Sequence, residues 1–543
     1  MEIIWILLIV LVSPALCGRI QNASVTYNRS TQKYAIHDSI VDDAVAYGVF
    51  NDEIFQTGWS YLEIKSNALY HDPIQAYAAG LVEGYLTADL LKKHWYNIAD
   101  DYCTNEESYC KRLKAFLQKN VDFINDNVFK REFDVYWHHV ALTLEQLHGL
   151  EDGFRNQTSG PSTKVDVMGF MFLNIMGDLE DLEALLKKKV QKVFGSGSCS
   201  ALIKVLPNNK DIYFAQDAWS TYNSMLRVLK KYSLQFHTTL SITSPIVPGH
   251  TYTFSSQPGF LFSQDDFYLI SSRLAAMETT IGNGNDSLWK YIKPEGTILE
   301  WQRNIVANRL AKNGKQWVEL FSIMNSGTYN NQWMILDYNK FQPGKPLQDG
   351  LLWVLEQLPG YIHSEDVTNV LRSQQYWPSY NTAYFKDIFN MSGGQKNAEK
   401  FGDWFTYERT PRALIFKRDQ GSVKDIASMI KLMRYNDFTN DPLSRCNCTP
   451  PYSAENAISA RCDLNPANGT YPFGALGHRQ HGGTDMKLTS FEMFKNLKFV
   501  AFGGPAYDPL PPFQWSKSDF DKTVRHVGHP DLWKFKPIVH NWM

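Results

Sequence analysis

The sequence predicts an α+β fold, with helices concentrated before residue 198 and strands after it. Three observations carry this. The stretches "IQAYAAGLVEGYLTADLLKKHW" (74–95) and "VYWHHVALTLEQLHGLEDGF" (135–154) read as helices. The runs "SALIKVL" (200–206) and "DIYFAQDAW" (211–219) are apolar and partly alternating, and "PNNK" joins them as a hairpin. Further strand patterns follow in "TYTFSS" (251–256) and "FYLISSRLAAMETTI" (267–281). No internal repeat and no low-complexity linker divides the 543 residues, so the two parts are expected to share one core.

The chain opens with "MEIIWILLIVLVSPALCGRI", whose residues 3–12 are an unbroken apolar run. That run is too short to span a bilayer as a helix of about 20 residues. Ala15 and Cys17 stand at the −3 and −1 positions of a cleavage before Gly18, so residues 1–17 read as a removed signal peptide, although Glu2 replaces the usual basic residue. No later segment is long and apolar enough to span a membrane. Seven N-x-S/T sequons, at Asn22, Asn28, Asn156, Asn285, Asn390, Asn447 and Asn468, agree with export. A formal net charge of −2 gives no electrostatic case for a nucleic-acid partner.

Of seven cysteines, Cys17 leaves with the leader. Cys103 and Cys110 bound the polar loop "CTNEESYC", which suits a small disulfide ring. Cys446, Cys448 and Cys462 form a second group, from which one bridge can form and one thiol is left over. Cys199 has no neighbour in sequence. The ordinary reading of such a thiol is a small apolar core residue.

Its surroundings suggest more. In "GDLEDLEALLKKKVQKVF" (177–194), Leu179, Leu182, Leu186, Val190 and Val193 recur at helical steps, with acids early and lysines late. Gly195 and Gly197 are expected to stop this helix. Cys199 therefore opens a strand directly after a loop of minimal side chains. A thiol there is suited to attack the carbonyl of Ser198, an N-to-S acyl shift whose hydrolysis frees a chain beginning at Cys199. The new α-amine, with a pKa near ~7.7–8, would then act as general base to its own thiol.

Other motifs read as structural. "GNDSL" (284–288) is taken as a surface loop, and no G-x-S-x-G elbow is present. "HRQHGGTDMK" (478–487), with His478, His481 and Asp485, is read as a loop near the cleft and not as a metal site. "WHH" (137–139) is assigned to helix packing. No glycine-rich phosphate cradle occurs, so no nucleotide cofactor is expected.

The blocks "CSALIKVLPNNKDIYFAQDAWSTYNSMLRVLKKY" (199–232), "NRLAKNGKQWVELFSIMNSGTYNNQWMILD" (308–337), "PRALIFKRDQGSVKDIASMIKLMRYNDF" (411–438) and "ARCDLNPANGTYPFGALGHRQHGGTDMK" (460–487) resemble those of the phospholipase B-like proteins. These are lysosomal or secreted N-terminal nucleophile hydrolases. The resemblance covers nearly the whole chain from about residue 35. It implies an αββα sandwich, two antiparallel sheets between helical layers. It also implies cleavage between Ser198 and Cys199, with a mainly helical fragment 18–198 retained on a catalytic fragment 199–543 that carries the sheets. The implied activity is removal of fatty acyl chains from glycerophospholipids through a Cys199 acyl-enzyme, with no metal or organic cofactor. An amidase on a lipid amide or peptide-like bond, and a non-catalytic lumenal protein binding a lipid or partner, are the alternatives. The resemblance implies the lysosomal lumen or secretion, and leaves a homodimer open.

By the same resemblance, Gln216 and Trp219 of "AQDAW" and Thr280 of "METTI" contact substrate, Asn331 of "TYNNQW" donates to the oxyanion, and Arg412 of "TPRALIF" stands beside the thiol. Relatives often carry His and Asn in the first motif, so Gln216 departs from the pattern. Each also has an ordinary reading: Trp219 as core, Asn331 as a turn residue, Arg412 as a surface ion-pair partner. In an acidic lumen an ordinary α-amine is protonated, so activity there requires burial and nearby cations to lower its pKa.

Overall fold

The computed structural model describes residues 20–131, 133–189 and 193–542. The expected leader, residues 1–17, and Val190 lie outside these. In chain order the principal strands are β1 (Gln21–Asn28), β2 (Lys33–His37), β3 (Ala46–Glu53), β4 (Trp59–Ser66), β5 (Cys199–Val205), β6 (Ile212–Thr221), β7 (Val228–Ser233) and β8 (Thr251–Ser256). They continue as β9 (Phe267–Ile270), β10 (Leu274–Thr280), β11 (Asn331–Asp337), β12 (Leu352–Leu358), β13 (Tyr361–Asp366), β14 (Tyr376–Ser379), β15 (His481–Thr489) and β16 (Val500–Gly503).

One sheet has eleven strands in the order β13-β12-β11-β10-β9-β8-β7-β4-β3-β1-β2; the other runs β14-β5-β6-β15-β16 and ends on a short strand at Ile538–Val539. Ile203, Phe214, Leu229, Phe267 and Met334 fill the space between the sheets. On the outer face of the large sheet, Ala76, Leu81 and Val82 of helix Asp72–Ile98 pack on Phe50, Leu62 and Tyr232. On the outer face of the small sheet, Ile415 and Met429, from helices Pro411–Asp419 and Ile426–Met433, pack on Leu202 and Ala215. The layers are therefore αββα.

Helix Asp72–Ile98 is locked to helix Val135–Arg155 by glycines. A Cβ on Gly84 would lie 2.1 Å from the Leu150 carbonyl oxygen, and one on Gly149 would lie 2.1 Å from that of Tyr77. The backbones touch, which no larger residue at these positions permits. Both helices cover the predicted stretches. His138, of the motif read as structural, bonds to Asp72 at 2.9 Å.

Three features differ from expectation. Residues 21–66 form four strands, so the segment before residue 198 is not helical throughout and contributes to the large sheet. It joins through β4 and β7, which run parallel from Ser60↔Val228 to Lys65↔Ser233, whereas the other described strand pairs are antiparallel. The predicted helix at 177–194 spans only Leu179–Leu185. The chain turns at Lys187, whose φ is +56°. Periodicity ran on into the lysines, but the turn is what delivers Gly195–Ser198 to the strand.

Disulfides join Cys103 to Cys110 and Cys446 to Cys448, leaving Cys199 and Cys462 as buried free thiols among the described residues. Asn22, Asn28, Asn156, Asn390, Asn447 and Asn468 are exposed. Asn285 is half-buried, and its Nδ2, the atom a glycan would need, donates to the Met391 carbonyl at 2.8 Å. Among the described residues, no helix is long and apolar enough to cross a membrane.

Candidate active site

The hairpin of β5 and β6 sets Cys199 opposite Ala218. The thiol is buried, and burial pushes its pKa up. Glu278 and Asp265 add to that effect, while Lys487 and the Trp219 N–H work against it. Behind it lies an ionic network. Asp265 meets Arg227 at 2.6 Å and Lys487 at 2.5 Å, and Asp485 meets the same two cations at 3.0 and 2.6 Å. Burial alone would raise the Asp265 pKa, but Arg227 and Lys487 outweigh it and hold the carboxylate ionised.

Every polar group of the Ser198–Cys199 peptide is engaged. The Trp219 N–H donates to the Ser198 carbonyl at 2.5 Å. The Ser198 and Cys199 N–H groups both donate to Asn381 Oδ1, at 2.9 and 3.2 Å. Arg412 Nη1 donates to the Cys199 carbonyl and, at 2.9 Å, to the same Asn381 oxygen. Burial lowers the Arg412 pKa to about 10, with Glu455 and Cys199 opposing the shift, so the guanidinium keeps its charge. Asn381 is held at φ +65°, a left-handed conformation that Asn tolerates better than most residues, and its Nδ2 donates to the Thr280 carbonyl at 2.7 Å. One asparagine thus ties the end of β14 to β10 and to the peptide ahead of the nucleophile.

A cavity of about 290 Å³ lies beside the loop that leads into this peptide, lined among others by Phe194, Gly197, Thr280, Tyr380, Asn381 and Arg412 but not by Ser198 or Cys199. The 193–197 loop forms one wall. Phe194 packs against Phe401 and Phe405, with ring centroids 5.1 and 5.3 Å away.

The residues singled out from sequence fall in different places. Thr280 and Arg412 line the cavity. Trp219 backs it, and Arg412 is buried rather than on the surface. Asn331 lies opposite Thr280 in the β10–β11 register, fully buried, and neither amide atom has a hydrogen-bond partner among the described residues. Gln216 lies on the Cys199 face of the small sheet. Alternation along β6 points it, like Phe214, between the sheets, where its Nε2 donates to the carbonyls of Asp265 (2.6 Å) and Glu278 (2.8 Å). It is not among the residues lining that cavity, and its amide bridges the two sheets.

Sequence reading missed Asn381, Glu455 and Arg479. Glu455, Cys462 and His481 offer ligand atoms within 4.8 Å of one another. A cation does not fit there, because the Arg479 guanidinium already lies 3.0 Å from Glu455 and 3.6 Å from the Cys462 sulfur.

A family model described as Phospholipase B matches residues 46–540. "Putative phospholipase B-like 2" of Homo sapiens is 48% identical over 530 residues, 96% of this chain and 90% of that protein. "Putative phospholipase B-like 2" of Caenorhabditis elegans is 45% identical over 92% of this chain and 85% of that protein. "Phospholipase B-like protein B" of Dictyostelium discoideum is 38% identical over 92% and 86%. Among solved structures, penicillin V acylase from Agrobacterium tumefaciens aligns with a TM-score of 0.32 at 12% identity, over 63% of this chain and 98% of that one, a likeness too distant to bear on function.

Proposed function

Since the chain belongs to the phospholipase B family, we propose that it is an acyl-bond hydrolase whose nucleophile is the Cys199 thiol, exposed by cleavage between Ser198 and Cys199. The setting of the Ser198 carbonyl carries this reading. With a sulfur nucleophile on the next residue, it already accepts the Trp219 N–H, the donor that an oxyanion at that atom needs. In maturation the Cys199 sulfur bonds to the Ser198 carbonyl carbon. The C–N bond breaks, and the thiol proton passes to the new amine. Water then hydrolyses the thioester, leaving a Ser198 carboxylate and a free Cys199 α-amine.

In turnover the α-amine takes the thiol proton as sulfur attacks the substrate carbonyl, and returns it to the leaving alcohol. Water, activated by the same amine, resolves the thioester. The Arg412 guanidinium at the Cys199 carbonyl favours the neutral amine and the thiolate, which supports activity in an acidic lumen. The substrate class proposed from the family is glycerophospholipid acyl ester. An amide substrate is the second reading, favoured by one observation: the bond this site is built around is itself an amide. The six-pair β4–β7 ladder supports retention of both fragments after cleavage. The exposed sequons support residence in the lysosomal lumen or outside the cell.

Mass spectrometry of the N-termini tests the maturation. Incubating the matured protein with acyl-labelled phospholipids and N-acyl amides tests the chemistry. Release from esters supports the first reading and release from amides alone the second. Release from neither leaves a lumenal binding protein.

A further inference from the structure

Cleavage at a chosen peptide requires that both sides of the bond be held. The Cys199 side is held by β5. On the other side the chain is a loop of Gly and Ser, with no strand pairing of its own. Yet two buried or half-buried charged side chains from distant sequence reach it. Glu455, fully buried, accepts the Gly197 N–H on Oε1 at 3.0 Å. Arg479 Nη1 donates to Ser196 Oγ at 3.0 Å, and its Nη2 pairs with Glu455 Oε2 at 3.0 Å. The Cys462 thiol donates to the same Glu455 oxygen at 2.6 Å, and Arg479 is further anchored on the Ala475 carbonyl at 3.0 Å.

We infer that Glu455 and Arg479 form a clamp on residues 196–197 that holds the Ser198 carbonyl against the Trp219 N–H, making Glu455 a positioning residue for cleavage before Cys199. A fully buried carboxylate costs stability unless its oxygens are satisfied. Here Oε2 is satisfied by Arg479 and Cys462, which are permanent parts of the fold. Oε1 is satisfied by the backbone of the segment whose bond is to be cut. A carboxylate needed only to balance Arg479 has no reason to reach the loop. The bond it makes restrains the loop one residue before the reacting carbonyl, where Gly197 and Ser198 have little steric restraint of their own. The inference rests on the reading that this peptide is cut.

The test follows the appearance of the Cys199 N-terminus over time in full-length precursor. One charge-assisted hydrogen bond to the scissile segment corresponds to about ten- to a hundredfold in rate. Glu455→Gln is expected to slow cleavage by that factor, and Glu455→Asp, which keeps the charge, to restore part of the rate. Ser196→Ala, a loop substitution with little consequence for folding, is expected to slow cleavage severalfold by freeing the Arg479 contact. Wild-type rates in Glu455→Asp and Ser196→Ala, together with either a wild-type rate or no folded protein for Glu455→Gln, overturn the clamp. An uncut wild-type precursor would instead defeat the reading beneath it.

Discussion

The Arg412 guanidinium carbon lies 4.4 Å above the Trp219 ring, and the two side chains together close on Gly197. A Cβ on Gly197 would come within 2.6 Å of the indole and 3.1 Å of Arg412 Nη2. Indole and guanidinium stack as a cation–π pair and cannot both retreat without uncovering the Cys199 carbonyl. Gly197→Ala is therefore expected to displace the Ser198 carbonyl from the Trp219 N–H. Precursor should accumulate while the fold loses only about 1–3 kcal/mol, the usual cost of overpacking. Gel analysis of the two fragments against thermal melting separates these effects. Normal processing of Gly197→Ala would show that the close approach does not matter.

Asn381 accepts both N–H groups flanking the bond, and its value lies in that acceptor. Asn381→Ala leaves two partly buried donors without this acceptor, at up to about 1–3 kcal/mol each. Cleavage is expected to fall by tenfold or more on the corresponding scale of about 1.4 kcal/mol per factor of ten. Asn381→Asp keeps the acceptor and adds a charge facing Arg412, while losing the bond to Thr280. It should process faster than Asn381→Ala. Equal rates in the two variants, read by N-terminal sequencing, would remove the acceptor role.

How much of this was legible in the sequence depended on the range of the interaction. The long helices were readable because their apolar periodicity is local, and the β5–β6 hairpin because its turn residues lie between two short apolar runs. Strands β1 to β4 were not read although they pair locally; what no local pattern encodes is the seam of β4 with β7, more than 160 residues later, as the Lys231–Glu63 contact illustrates. Cys199 stood out because its chemistry needs only itself and the residue before it. Asn381 and Glu455 reach that peptide from 183 and 258 residues away, and no spacing rule encodes such contacts. Gln216 faces the same side of the small sheet as Cys199, between the sheets, but its amide is taken up by the Asp265 and Glu278 carbonyls, partners that no local pattern reveals.

Asn331 presents an unmatched buried amide beside Thr280, with neither oxygen nor nitrogen bonded among the described residues. Such a group costs stability, so its retention fits a donor kept for a reacting oxygen. Asn331→Ala is expected to leave the melting temperature unchanged or higher while lowering kcat on whichever acyl substrate is accepted. The expected loss is about 10²–10³-fold, the scale of removing one oxyanion donor. A variant that melts lower and turns over normally would make Asn331 a structural residue bonded through water.

Stability is expected to fall as pH rises from 5 to 8. Burial raises Asp178 to about 6, Glu356 to about 7 and Asp181 to about 8, against ordinary carboxyl values near ~4. Burial also pushes Asp217, Asp266, Glu278 and Glu300 well above their usual range. A carboxyl whose folded pKa is raised contributes fully below its unfolded value and loses that contribution as pH climbs through the folded one. The native state then binds more protons than the unfolded chain, at about 1.4 kcal/mol per proton per pH unit. Buried imidazoles act in the opposite sense. His94 and His529 are lowered to about 3 and His540 to about 4 by burial, and His139 is lowered well below the ordinary value. Their contribution is present above ~6.5 and erodes as pH drops. The raised carboxyls outnumber the lowered imidazoles and outweigh them between pH 5 and 8, and above about pH 7 the imidazoles no longer change. Melting temperatures measured at pH 5, 6.5 and 8 in one buffer system should therefore decrease in that order. A flat or rising series would mean that these buried carboxyls are ionised in the folded protein.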